Sequence, residues 1–215
     1  FREPQRHKMT EEHMGEGGDS SSMYFAALSA HRQGDYETAE AIYDRYLEAN
    51  SSGPEAAYIC SMKAKLYYHR EDYETCEAIC MRAAGMCPAA AWVYALAATA
   101  LLKWEETVEG ENEKEAILHR VLDYCRLAES CKIPRSTMAV PTTAYGWETQ
   151  MAFADAYTRL GDYQKALEHA HRCVEMKPPE RTTDQMIRLK SGKLFQKLAL
   201  IISFIKHRIN YLPGR

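Results

Sequence analysis

The chain has 215 residues, 46% of them hydrophobic, and a formal net charge of −3, which supplies a core and excludes a chain without fold. The charge is uneven: residues 181–215 hold eight Lys or Arg against the single acid Asp184, so that segment is +7 and the remainder −10, an acidic body that argues against nucleic-acid binding. Seven cysteines, an odd number scattered through helical segments, are poor material for a disulfide framework and point to a reducing cytoplasm.

In chain order, residues 1–22 mix both charge signs, run into Gly and Ser, and lack the apolar run of a secretion signal. They read as a flexible N-terminal tail. The glycine-rich stretch Met14 to Asp19 has no strand before it, so it is a linker rather than a phosphate loop.

From residue 23 a pattern recurs around three tripeptides: Gly34-Asp35-Tyr36, Glu71-Asp72-Tyr73 and Gly161-Asp162-Tyr163. Before each lies a small residue with Ala or Tyr three positions on: Ala27 and Ala30, Ala64 and Tyr67, Ala154 and Tyr157. After each come Ala39, Cys76 or Ala166, then apolar residues at helical spacing, and two units close with Pro88 and Pro178. Small residues let two helices approach to roughly 8–10 Å, and glycine at the turn accepts a backbone conformation that costs other residues. Glu71 departs from that glycine, so its turn is expected to be less ideal. The first spacing is 37 residues and the next 90, so a diverged unit fills the gap. It begins at AAAWVYALAATALLK, with Trp92 and Leu96 matching a first helix, and resumes with Leu118, Leu122 and Cys125 on one face. Between them the acidic stretch 104–115 is expected to replace the short turn with a projecting loop.

This arrangement resembles the tetratricopeptide repeat, TPR: two antiparallel helices, a small-residue crossing, a tight turn and a proline stop. The expectation is an all-α, TPR-like helical-hairpin solenoid over residues 23–179, with three clear repeats and one diverged repeat. The first helices of such an array line a concave groove. Projection of the pattern puts Tyr24, Leu28, His31 and Arg32 there from the first repeat, and Tyr58, Ser61, Lys65, Tyr68 and His69 from the second. The diverged repeat adds Val93, Ala97 and Leu101, and the last adds Met151, Asp155, Thr158 and Arg159. A protein or peptide partner is the expected occupant, with the protein's own segments or a second copy as the alternatives. Some TPR proteins grip chaperone C-termini with Lys and Asn, and Tyr24 and Leu28 stand where that clamp needs them, so no such clamp is expected.

Catalytic and cofactor motifs do not emerge. There is no P-loop, dinucleotide fingerprint or Ser/His/Asp ordering. Cys76 and Cys80, which with Cys87 have zinc-like spacing, fall on core positions of the repeat and read as packed thiols. His169 and His171, two apart on a helix, point in different directions. The expectation is a non-enzyme without cofactor or metal.

The last repeat, AYGWETQMAFADAYTRLGDYQKALEHAHRCVEMKP, is similar to the closing segment of TPR regions that follow the catalytic domain in certain family 2 glycosyltransferases. The opening, MYFAALSAHRQGDYETAEAIYDRYLEAN, is similar too, and the informative piece is Tyr145-Gly146-Trp147. The resemblance implies an accessory helical module of such an enzyme, aiding acceptor binding or oligomerisation. The catalytic half it implies, with an Asp-x-Asp metal motif, has no counterpart in this sequence.

Residues 180–215 are expected to cap the array and to associate. Leu194, Leu198, Ile201, Ile205 and Leu212 make one apolar stripe, and Phe195, Ile202 and Ile209 a second beside it. The run is too short to span a bilayer. Packing on its own repeats, pairing as a homo-oligomer and resting on an anionic membrane surface are all open to it. Self-association is the functional reading, ahead of the membrane.

Overall fold

The structure is a computed structural model and describes residues 20–137 and 139–176. These form eight α-helices and one short 3-10 turn, with no strand among the described residues: α1 (Ser20–Gln33), α2 (Tyr36–Ala49), α3 (Gly53–His69), α4 (Tyr73–Met86), α5 (Ala91–Glu105), α6 (Glu111–Ser130), the turn Thr143–Tyr145, α7 (Trp147–Arg159) and α8 (Tyr163–Glu175). Consecutive helices pair as four hairpins, α1/α2, α3/α4, α5/α6 and α7/α8, each packed on the next, and the first helices α3, α5 and α7 also touch one another. The fold is the expected all-α solenoid of helical hairpins. The terminal expectations, the tail and the stripes built on Leu194 and Phe195, lie outside the described residues.

The recurring tripeptide builds the same turn three times. Asp35 N–H donates to the Ala30 carbonyl and Gly34 N–H to the His31 carbonyl, and the equivalent pairs are Asp72 to Tyr67 with Glu71 to Tyr68, and Asp162 to Tyr157 with Gly161 to Thr158. This is the Schellman ending, which satisfies the last helical carbonyls and needs a left-handed residue just past the helix. Gly34 and Gly161 take it at φ 79°, and Glu71 at φ 61°. The aspartate then caps the next helix: Asp35 and Asp72 each accept the N–H three residues on at 3.1 Å, and Asp162 that of Lys165 at 3.2 Å. The small crossing residues Ala27, Ala64 and Ala154 are buried, as are Ala39, Cys76 and Ala166 opposite them.

The diverged unit is an ordinary hairpin with an altered turn, and the acidic stretch is not a projecting loop. Helix α5 runs on through Glu105 and α6 begins at Glu111, which leaves only residues 106–110 as connection. Glu111 and Glu113 sit in the first turn of α6, where acidic side chains complement the positive helix end. Glu105 and Glu106 turn back to hold Arg159 of α7.

Hairpins are also joined by polar contacts. Glu77 of α4, itself buried, accepts from Arg120 and from the Tyr124 hydroxyl (2.6 Å), both on α6. Arg120 lies over the Trp104 ring at 5.7 Å. Cys60, Cys76, Cys80 and Cys125 are sealed in the core, and all seven thiols are free. A hydrogen bond with Cys76 and burial push the Cys80 thiol up. Cys173, by contrast, is only half-buried, near the end of α8.

Between α6 and α7 the chain crosses from the third hairpin to the second and back. Cys131 reaches the Pro88 carbonyl at 3.4 Å. Glu55 Oε1, at the start of α3, accepts from the Thr137 N–H (2.7 Å), the Thr137 hydroxyl (2.9 Å) and the Ser136 hydroxyl (3.0 Å). The Tyr145 hydroxyl donates to the Ala89 carbonyl.

Candidate functional site: a cavity on the first helices

Tyr24, Leu28, His31, Tyr58, Lys65, Tyr68 and Met151 are half-buried on the first helices, and Arg32 and His69 are exposed. Rings continue from hairpin to hairpin: Tyr24 to Tyr58 at 6.1 Å, Tyr58 to Trp92 at 6.5 Å, and Trp92 to Tyr145 at 6.2 Å between centroids. Burial, then the contact with Tyr24, pushes the Tyr58 phenol up to about 12. A second cluster gathers at the far ends of α1 and α3. There His31 meets His69 at 5.7 Å and its Nδ1 lies 3.3 Å from the Tyr43 hydroxyl, while Tyr36 stacks on His69 at 6.2 Å. Burial, His69 and Lys65, in that order, lower His31.

The first helices of hairpins two, three and four enclose a cavity of about 400 Å³. Ser61 and Lys65 come from α3, Trp92, Ala95, Leu96, Thr99 and Leu102 from α5, Pro141 from the crossing segment, and Trp147, Glu148, Met151 and Ala152 from α7. Its walls are mainly apolar and Thr99 is exposed at its mouth. The hydroxyls are already bonded, Ser61 to the Tyr58 carbonyl and Thr99 to the Ala95 carbonyl. Two donors are not. Lys65 makes no hydrogen bond or ion pair among the described residues, and burial pushes its ammonium down, opposed by the charge of Glu148. The Trp92 indole N–H is buried without an acceptor among the described residues, which costs roughly 1–3 kcal/mol.

Three projected positions of the diverged repeat are corrected. Val93, Ala97 and Leu101 are wholly buried in the core, and α5 presents Trp92, Ala95, Thr99 and Leu102 to the cavity instead. Helix α5 is apolar around most of its circumference, so periodicity could not fix which stripe faces out. The crossing residue of this hairpin is accordingly Ala98, fully buried. Asp155, Thr158 and Arg159 do not line the cavity either. Asp155 is buried and holds Arg159 Nε at 2.9 Å, and the guanidinium also bonds Glu105 (2.5 Å), Glu106 (3.0 Å) and the Leu102 carbonyl (3.0 Å). It fastens α7 to the end of α5 with its donors already in use. Of the cavity wall the projection held only Ser61, Lys65 and Met151; it missed the α5 residues, Trp147, Glu148 and Ala152 of α7, and Pro141, which is brought there by a segment without periodicity.

His169 stacks on Phe153 at 4.3 Å and contacts Gln150 Oε1 at 2.8 Å, whereas His171 is exposed. Among the described residues no three His, Cys, Asp or Glu side chains stand together as metal ligands. No helix of the described residues is long and apolar enough to cross a membrane.

Residues 148–180 match the tetratricopeptide repeat family, and residues 32–109 match anaphase-promoting complex, cyclosome, subunit 3. The solved structure of TTC0263, a thermophilic TPR protein of Thermus thermophilus, superposes with a TM-score of 0.56 at 16% identity, over 74% of this chain and 75% of that one. The fold is a tetratricopeptide-repeat solenoid. Two further solved structures have similar folds. MamA 41-end from Desulfovibrio magneticus RS-1 has a TM-score of 0.54 at 18% identity over 84% of this chain and 90% of that chain. A MamA RS-1 double mutant has a TM-score of 0.57 at 16% identity over 84% and 86%. No curated protein matches the sequence. At these identities the structural likenesses describe the fold of the repeats, and the tetratricopeptide match covers residues 148–180.

Proposed function

We propose that this TPR solenoid is a non-catalytic scaffold that holds a protein or peptide on the face formed by its first helices. The observation that carries the reading is the cavity shared by α3, α5 and α7, apolar in its walls and supplied with a cation, Lys65, that makes no hydrogen bond or ion pair among the described residues. Such a site is formed only when three hairpins stack, so it belongs to the array rather than to one repeat. Free, buried thiols favour a reducing compartment, the cytoplasm. A photo-crosslinking side chain at Met151, and separately at exposed Asp123 of α6, tests the face used. Adducts from position 151 alone support the reading, and adducts from position 123 alone overturn it.

A second reading keeps the glycosyltransferase resemblance, in which the solenoid is a module aiding acceptor binding or oligomerisation. Its support is the motif Tyr145-Gly146-Trp147, whose tyrosine fixes the approach to α7 and whose tryptophan walls the cavity. A sugar-nucleotide domain encoded in frame upstream would favour it, and an upstream region coding for something else would remove it. Self-association through residues 194–215 is a separate proposal: deletion of that segment, followed by light scattering, should reduce the mass, and an already monomeric full chain ends the idea.

A further inference from the structure

The cavity has a chemistry of its own beyond lying on a repeat face. We propose that it takes a short peptide segment in which a bulky apolar side chain adjoins an Asp or Glu, the apolar group seated between Trp92, Leu96, Trp147 and Met151 and the carboxylate on Lys65. This rests on the scaffold reading and names the partner that reading leaves open.

Three observations converge on that occupant. The volume, about 400 Å³, is that of a site for one large side chain with its adjoining backbone, and it lies within the range of pre-formed ligand pockets. Its polar wall groups are unequal in satisfaction. The two hydroxyls are used internally, while the Lys65 ammonium makes no hydrogen bond or ion pair among the described residues. A half-buried ammonium of this kind is satisfied by something that accepts. A peptide supplies the acceptor, a carboxylate for the ammonium, and its main-chain N–H can be received by the Glu148 carboxylate, which makes no hydrogen bond among the described residues. Glu148 also sets the charge of the guest. A monoanion gains Lys65 and tolerates Glu148, whereas a phosphate dianion would meet a single cation and a facing carboxylate.

The full chain, immobilised, is panned against a displayed library of random hexapeptides, and selected peptides are synthesised for fluorescence anisotropy with wild type, Lys65→Gln, Lys65→Arg and Trp92→Phe. The expected result is enrichment of an aromatic or large aliphatic residue next to Asp or Glu. Binding should fall at least about tenfold in Lys65→Gln, recover in part in Lys65→Arg, and fall several-fold in Trp92→Phe, which takes apolar area from the cavity wall. Circular dichroism and thermal melting establish that each variant is folded. Selected peptides that lack the acidic residue, or that bind Lys65→Gln as tightly as wild type, overturn this assignment and leave the scaffold reading standing. A library that yields no peptide bound by the wild type overturns the peptide-binding reading itself.

Discussion

Tyr145 donates its hydroxyl hydrogen to the Ala89 carbonyl at 2.6 Å and accepts the Ala91 N–H at 3.3 Å, so one phenol ties the approach to the fourth hairpin onto the start of the third. Burial, partly offset by the Ala91 N–H, pushes this phenol up to about 12. The contact explains how a segment without helical structure brings Pro141 to the cavity wall. Tyr145→Phe should cost about 1–2 kcal/mol and quicken amide hydrogen exchange in residues 132–142. Unchanged exchange there would show that the Glu55 contacts hold the segment alone.

The turn at Glu71 carries a strain that its two counterparts avoid. A side chain in the left-handed region costs roughly 1–2 kcal/mol, and Glu71 sits at φ 61° where the other two turns have glycine. Glu71→Gly is therefore expected to stabilise by about 1 kcal/mol and raise the melting temperature by about 2–4 °C. Gly161→Ala should lower it by a similar amount. Calorimetry on the two variants reads opposite signs if the backbone argument holds.

Glu77 joins α4 to α6 through two donors, one of them charged. Burial and the Glu77 hydrogen bond both push the Tyr124 phenol upward, so at neutral pH it is the donor. Glu77→Gln should cost about 1.5–3 kcal/mol and Tyr124→Phe about 1 kcal/mol. In urea titrations the double variant should lose less than the sum of the two, since they share one interaction; strict additivity would show that the tyrosine bond contributes nothing.

Lys65 is expected to lower stability where it stands. An ammonium held among apolar walls without a paired carboxylate is desolvated at a cost, so Lys65→Met should raise stability by about 1 kcal/mol while it removes the cavity's cation. Chemical denaturation gives the sign directly. A destabilised methionine variant would mean that the long aliphatic stem of lysine packs better than the thioether.

Mild acidification should weaken the fold through its histidines. Burial first, then nearby cations, lowers both His31 and His169, the cations being His69 and Lys65 for the one and Arg172 for the other. In the unfolded chain both titrate near the ordinary value of about 6.5. Below that value the unfolded state takes up protons that the folded state resists, so stability is full above about pH 7 and falls as pH drops toward 5.5. Glu40 and Glu55 lie below the usual carboxylate range, against the burial that raises each: hydrogen bonds from Tyr67 and Arg70 hold the one, and the Thr137 N–H and hydroxyl the other. Their contribution is lost only at lower pH. Urea midpoints at pH 7 and 5.5 should differ for wild type and differ less for a His31→Gln, His169→Gln double variant.

The sequence by itself determined the repeat. Asp35, Asp72 and Asp162 cap a helix wherever they follow a left-handed residue, and Ala27, Ala64 and Ala154 allow a close crossing wherever helices pair, because both effects are local and written within one hairpin. The positions of Lys65 and Met151 on the cavity wall follow in the same way from the turns next to them. What only the tertiary structure decided is how the third hairpin sits and what crosses it. Helix α5 has apolar residues on nearly every side, so its outward stripe of Trp92, Ala95 and Thr99 is chosen by the neighbours it packs between rather than by its own pattern. The acidic residues after Trp104 could equally have filled a loop; in the fold Arg159, more than fifty residues away, gives Glu105 its partner and joins Lys103 in holding Glu106 beside a short connection. The cavity depends on that placement, since its walls come from three hairpins and a non-helical segment whose contacts with Glu55 and Ala89 no local rule encodes.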